Sequence, residues 1–135
     1  MSVHTTYALR VQYEDTDFSG YVYHANYLKF CERARSDFTR QQGIDQSANF
    51  SGPDRLAFVV RHMDCHFLRP ARFGDELIVA TEFIKIAGAR FESFQQVKLG
   101  EAMLFTAAVT VALIDSNGRP RRCPPDMLKA FTQAF

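Results

Sequence analysis

The run Tyr13-Glu14-Asp15-Thr16-Asp17-Phe18-Ser19-Gly20-Tyr21-Val22-Tyr23-His24-Ala25-Asn26-Tyr27 places carboxylates, a glycine turn and the start of a helical pattern in one short stretch. A helix start offers unpaired backbone N–H groups and the positive end of a dipole, which suit the charge that grows on a carbonyl oxygen under attack. A carboxylate beside it can attack that carbonyl or activate a water. Together these groups suit transfer of an acyl group to water. An aspartate is ionised at neutral pH without help. Asp15 and Asp17 share the same strand parity, so spacing does not choose between them. Asp and Gly are also common turn residues, and a histidine in this place can cap a helix, shuttle a proton or donate a hydrogen bond.

The elements that would position this stretch follow from hydrophobic period. Tyr7, Leu9, Val11 and Tyr13 alternate with Ala8, Arg10, Gln12 and Glu14, the pattern of a strand with one buried face, and this strand delivers Asp15 and Asp17 at its end. From about Ala25 to Gln42, Tyr27, Phe30, Cys31, Ala34 and Phe38 recur at helical spacing, with Lys29, Glu32, Arg33, Asp37 and Arg40 on the other face. Gly43 supplies a stop. Ser47 to Asp54 reads as a surface loop. Four strands are predicted next, over Leu56 to Leu68, Glu76 to Ile86, about Phe91 to Leu99, and Ala102 to Ile114, separated by Pro70 and Gly74, Gly88, and Gly100. Short connections of this kind favour antiparallel pairing. Asp115-Ser116-Asn117-Gly118 is a turn, and Pro124-Pro125-Asp126 opens a short helix. One long helix followed by four strands is an α+β pattern in which the sheet must cover the helix. Period and composition go no further than that.

The Asp17 segment resembles the signature of the 4-hydroxybenzoyl-CoA thioesterase branch of the hotdog-fold acyl-CoA thioesterases, in particular the Tol-Pal system-associated acyl-CoA thioesterases. Those proteins carry a similar Tyr-Glu-Asp-Thr-Asp, then Gly, then Val-Tyr-His. The resemblance continues through Glu32-Arg33-Ala34-Arg35, Ala57-Phe58-Val59-Val60-Arg61, Arg69-Pro70-Ala71-Arg72-Phe73-Gly74-Asp75 and Pro120-Arg121. It implies a hotdog fold, with the sheet wrapped around the helix, and hydrolysis of an acyl-CoA thioester without any external cofactor. It also places the catalytic carboxylate on Asp17, as nucleophile or general base, and the group that polarises the thioester carbonyl on the backbone N–H of His24. Tyr23, Tyr27, Val60 and Arg61 become candidates for substrate contact. Some family members hold the nucleotide phosphates with a basic cluster near the turn at 86–90, which Gly88 and Ala89 thin here to Arg90; Arg61, Arg69 and Arg72 are alternatives. The resemblance further implies a homo-oligomer, a dimer or tetramer, with the site near the subunit contact. Coenzyme A and an acyl carrier protein are both open as the thiol carrier. Two other uses of such a fold compete with hydrolysis: a non-catalytic acyl-binding module and a dehydratase or hydratase.

Chain-wide features narrow the field. At 135 residues a single domain spanning 1–135 is expected. Sixteen Lys and Arg against 15 Asp and Glu argue against a general nucleic-acid or membrane-surface binder. Cys31, Cys65 and Cys123 are odd in number with no CxxC pair, so reduced thiols and a cytoplasmic location are expected. Met1 to Arg10 lacks the apolar core of a signal peptide, and no run approaches the length of a membrane span. No Gly-x-Ser-x-Gly elbow, phosphate loop or dinucleotide fingerprint is present. His62, Asp64 and His66 share one face of a strand, where a divalent metal could bind, but a wet strand face is the expectation and no metal is assigned. The 13 Phe and 5 Tyr could line an acyl pocket or fill an ordinary core.

Overall fold

The computed structural model describes residues 3–44 and 55–132. Five strands, β1 (Val3–Arg10), β2 (Leu56–Phe67), β3 (Glu76–Ala87), β4 (Arg90–Leu99) and β5 (Ala102–Asp115), form one antiparallel sheet in the order β1-β3-β4-β5-β2. Helix α1 (Asn26–Gln41) follows β1, and helix α2 (Pro125–Thr132) follows β5. The expected loop Ser47 to Asp54 lies outside the described residues.

The inward face of the sheet holds α1. Phe30, Cys31 and Ala34 of the helix pack with Leu77 and Val79 of β3, Val97 of β4, and Phe105, Ala107 and Val109 of β5 in one cluster of buried side chains. A second cluster joins Phe38 near the end of α1 to Phe83, Phe91, Leu113 and the α2 residues Met127 and Phe131. This is the α+β hotdog arrangement. Side-chain alternation made it possible: β4 buries Phe91, Ser93, Gln95 and Val97 and leaves the intervening positions partly exposed. The β3–β4 turn closes over two residues, and Gly88 stands there at φ +62°, a left-handed backbone that a tight hairpin requires and glycine adopts freely.

β1 departs from the alternation. The pattern predicts a strand to Tyr13, but pairing with β3 stops at Arg10. Val11 is still inside, and its N–H donates to the Asp75 carbonyl at 2.9 Å, while its own carbonyl accepts from the Gly74 N–H at 3.0 Å. Tyr13–Asp15 then coil into a single 3₁₀ turn. Asp15 and Asp17 therefore do not extend a strand with shared parity, and the turn sends them to different surroundings.

β2 is an edge strand. Its pairing with β5 slips between Val60 and His62, which leaves Arg61 as the extra residue of a bulge. His62, Asp64 and His66 are exposed along it, with His66 Nε2 at 3.4 Å from Asp64 Oδ1. Among the described residues no group of three His, Cys, Asp or Glu side chains is placed to hold a metal ion. Among them, too, no helix is long and apolar enough to cross a membrane.

Candidate active site

Residues 15–17 and 21–23 form a miniature antiparallel ladder that turns through Phe18–Gly20. Asp17 N–H donates to the Tyr21 carbonyl at 3.1 Å, Thr16 pairs with Val22, and Tyr23 N–H donates to the Asp15 carbonyl at 2.9 Å. Gly20 closes the turn at φ +86°, and its N–H donates to the Asp17 carbonyl at 3.0 Å. The ladder is itself tied to the 69–75 connection, because Val22 N–H donates to the Ala71 carbonyl at 2.9 Å and Tyr21 bridges to Arg72.

The two aspartates separate here. Asp15 is 5 % exposed, and its Oδ2 accepts the Gln12 N–H at 2.7 Å, which stabilises the 3₁₀ turn. Asp17 is open to solvent. Its Oδ1 accepts the Ser19 hydroxyl at 2.5 Å and the Ser19 N–H at 2.8 Å, and Oδ2 takes no hydrogen bond from another described residue. The hydroxyl bond, then the backbone bond, hold the Asp17 carboxyl below the usual aspartate range, with a smaller contribution from the nearby His24 imidazole. One oxygen is fixed and the other is available.

The helix start is assembled by side chains that reach back. Asn26, buried, donates from Nδ2 to the Asp15 carbonyl at 3.0 Å, and its own N–H goes to the Tyr23 carbonyl at 2.8 Å. No side chain caps α1: Ala25 holds the cap position in helical backbone geometry. Among the described residues nothing accepts a hydrogen bond from the backbone N–H of His24 or Ala25. Those amides and the Asp17 carboxylate lie at the same end of the sheet. His24 follows Tyr23, the last residue of the ladder, and its imidazole is near enough to act on the Asp17 carboxylate.

The other candidates scatter. Tyr23 and His24 are exposed and lie with ring centroids 4.6 Å apart, and His24 also meets the edge of Phe67 at 6.1 Å. Tyr27 is core, 3 % exposed, stacked on Phe105 at 5.2 Å, and its hydroxyl accepts the Ala71 N–H at 2.9 Å. Val60 and Arg61 are exposed halfway along the β2 edge. Arg90 begins β4 at the turn after Ala87, whereas the Asp17 end of β3 is Glu76, paired with Arg10. That is eleven strand steps, roughly 36 Å along the strand. Within one protomer Arg90 and Asp17 do not share a site. Arg69 and Arg72, by contrast, belong to the connection tied to the ladder, and the Arg72 guanidinium lies 5.2 Å over the Tyr21 ring.

Sequence reasoning passed over three aromatic residues. An open depression of about 690 Å³ is lined by Tyr13, Thr16, Asp17, Phe18, Gly20 and Phe73. Tyr13 and Phe73 meet edge to face at 6.3 Å, and Phe18 is fully exposed. Ser19 was also missed, although Asp-x-Ser before a glycine is the local signature of a side chain that bonds its own turn.

Residues 11–131 match the thioesterase-like superfamily. The chain belongs to that superfamily. It is 38 % identical over 127 residues to an acyl-CoA thioester hydrolase, YbgC, of Escherichia coli O6:H1, covering 93 % of each chain. It is 32 % identical to a 1,4-dihydroxy-2-naphthoyl-CoA hydrolase of Nostoc punctiforme, covering 90 % of this chain and 81 % of the relative. Among solved structures, a probable thioesterase from Bartonella henselae superposes with a TM-score of 0.85 at 46 % identity, covering 90 % of this chain and 99 % of that one.

Proposed function

We propose that this member of the superfamily hydrolyses acyl-CoA thioesters to the free acid and the thiol, with Asp17 as the reacting carboxylate. The observation that carries the reading is the state of that side chain: ionised, pinned through Oδ1 by Ser19, free at Oδ2, and open to a depression walled by aromatic rings. The thioester carbonyl oxygen would take the amides of His24 and Ala25, which lie at the positive end of the α1 dipole. We read Asp17 as the base that activates a water beside the thioester carbonyl. The proton passes from water to Asp17, hydroxide forms the new C–O bond, and the C–S bond breaks to release a thiolate that is reprotonated. His24, with an exposed imidazole beside the amides, is positioned to return a proton to the sulfur.

Tyr13, Phe18 and Phe73 give the acyl group an apolar wall that suits a small or medium aliphatic or aryl acyl chain. The named relatives act on an acyl-CoA in Escherichia coli and on an aromatic acyl-CoA in Nostoc. Arg90 lies too far along its own protomer to hold the coenzyme A phosphates at that protomer's site, so a contribution from it requires a second copy. The exposed β2 edge, with Val60 and Arg61, is the surface we assign to that contact, in a homodimer or tetramer of single-domain protomers. An acyl carrier protein presents the same phosphopantetheine arm and is the other possible donor. All three thiols are free, which suits the reducing cytoplasm.

A panel of aliphatic and aryl acyl-CoAs, assayed for released thiol, tests the reading. Thiol release is expected with at least one member, and Asp17→Asn should lower kcat by two orders of magnitude or more with an unchanged circular dichroism spectrum. A wild-type rate in that variant would overturn the role of Asp17, and enoyl absorbance changing without thiol release would replace hydrolysis with hydration.

A further inference from the structure

A second cavity lies at the other end of the molecule, between the later turns of α1, the sheet and α2. It measures about 60 Å³ and is lined by Arg35, Thr39, Phe58, Phe83, Phe91, Ser93, Val111 and Phe131. Its polar lining is unusual for a core. The Arg35 guanidinium donates to Gln95 Oε1 at 2.7 Å, and Gln95, fully buried, spends its own amide hydrogens on the Cys31 carbonyl at 2.9 Å and Thr81 Oγ1 at 3.0 Å. No carboxylate forms an ion pair with Arg35 among the described residues. Cys31 is no substitute, because burial pushes its thiol up to about 12 and keeps it neutral. Ser93 is 5 % exposed and makes no side-chain hydrogen bond to a described residue. Yet every fully enclosed side-chain nitrogen and oxygen among the described residues has a partner. Arg35 and Ser93 both line the cavity, and beyond the bond from Arg35 to Gln95 neither side chain is hydrogen-bonded to a described residue.

Arg35 is partly buried, with the Glu32 carboxylate acting on it from one turn earlier in α1, and a guanidinium with spare N–H groups matches a carboxylate in shape and charge. We propose that this cavity binds a short-chain monocarboxylate, its oxygens on Arg35 and Ser93 and its alkyl end against Phe58, Phe91 and Phe131. Size sets the length: one water needs about 10–15 Å³ on this measure, so the space holds roughly four to six non-hydrogen atoms, the range from acetate to butyrate. The aromatic walls disfavour a hydrated inorganic ion, which would have to shed its water against apolar rings. The ligand belongs to the same chemical class as the acid that thioester hydrolysis releases, but the site stands independently of Asp17.

Isothermal titration of the full chain with sodium propionate, against sodium chloride at equal ionic strength, tests this. Saturable binding of propionate is expected, with no comparable signal from chloride and with at least tenfold weakening in Arg35→Met. Arg35→Met also leaves the buried Gln95 Oε1 without its donor, so Ser93→Val, which keeps the guanidinium and fills the cavity, is the second variant and should weaken binding by a similar factor. Asp17→Asn should bind propionate as the wild type does. Equal binding of chloride, no propionate binding, propionate affinity unchanged in both cavity variants, or loss of binding in Asp17→Asn would each overturn the assignment.

Discussion

Replacing Tyr27 by Phe removes one oxygen and leaves the ring. The Tyr27 hydroxyl is the acceptor for the N–H of Ala71, a residue with no exposed surface, in a bond of 2.9 Å. The aromatic packing survives, because the stack on Phe105 and the edge contacts with Phe30 and Phe67 involve only the ring. What is lost is the satisfaction of a buried donor, which costs about 1–3 kcal/mol. For a domain of this size each kcal/mol moves Tm by roughly 3–5 °C, so a middle value of about 2 kcal/mol predicts a fall of roughly 6–10 °C. The functional effect follows from the next bond in the chain: Ala71 also accepts the Val22 N–H, so its loosening reaches the ladder that holds Asp17. Calorimetry should show the lowered Tm, and the thiol assay a lowered kcat. Tyr27→Leu, which also deletes the ring, should lose more. A Tm in Tyr27→Phe within 1 °C of the wild type would refute the claim that this hydroxyl secures the 69–75 connection.

Other perturbations separate the remaining parts of the argument. Ser19→Ala removes the largest contribution to the lowered pKa of Asp17; since the wild-type carboxylate stays ionised below the ordinary aspartate value of about 3.9, the acid limb of the kcat/KM profile should move up towards that value in the variant. Gly20→Ala meets no atom within 4 Å of the added carbon, so its cost of about 1–2 kcal/mol comes from the φ of +86° alone, read as a lower Tm together with a lower kcat. Gln95→Leu strips Arg35 of its acceptor and leaves the Cys31 carbonyl without its side-chain donor, and should destabilise the fold by about 1–3 kcal/mol in urea unfolding.

The strands were legible because β3, β4 and β5 bury one face and β1 alternates between half-buried and exposed positions. Leu56, Glu76 and Ala102 are the observed first residues of β2, β3 and β5, where apolar alternation begins after turn residues. The same signal failed at the end of β1, since Val11 keeps the inward pattern while its hydrogen bonds go to the 74–75 connection instead of to β3. Alternation reports burial, and burial outlasted pairing by one residue. The choice between Asp15 and Asp17 was beyond local pattern for a related reason: it depends on which carboxylate the 3₁₀ turn encloses, and alternation gives both the same parity. Arg90 shows a third limit. Charge at a turn is easy to find, but its distance from Asp17 is set by strand length and pairing order, neither of which a residue type encodes.

The hairpin around Asp17 is held almost wholly by peptide groups: residues 15, 16, 17, 21, 22 and 23 are joined to one another or to Ala71 through main-chain bonds and bridges. Mutation at Tyr13, Phe18 or Phe73 can therefore alter what the depression admits without dismantling the frame that carries the reactive oxygen. A lineage built on such a frame is free to explore new substrates by small side-chain changes while its chemistry stays in place, and a library restricted to these three positions is the direct route to a changed acyl preference.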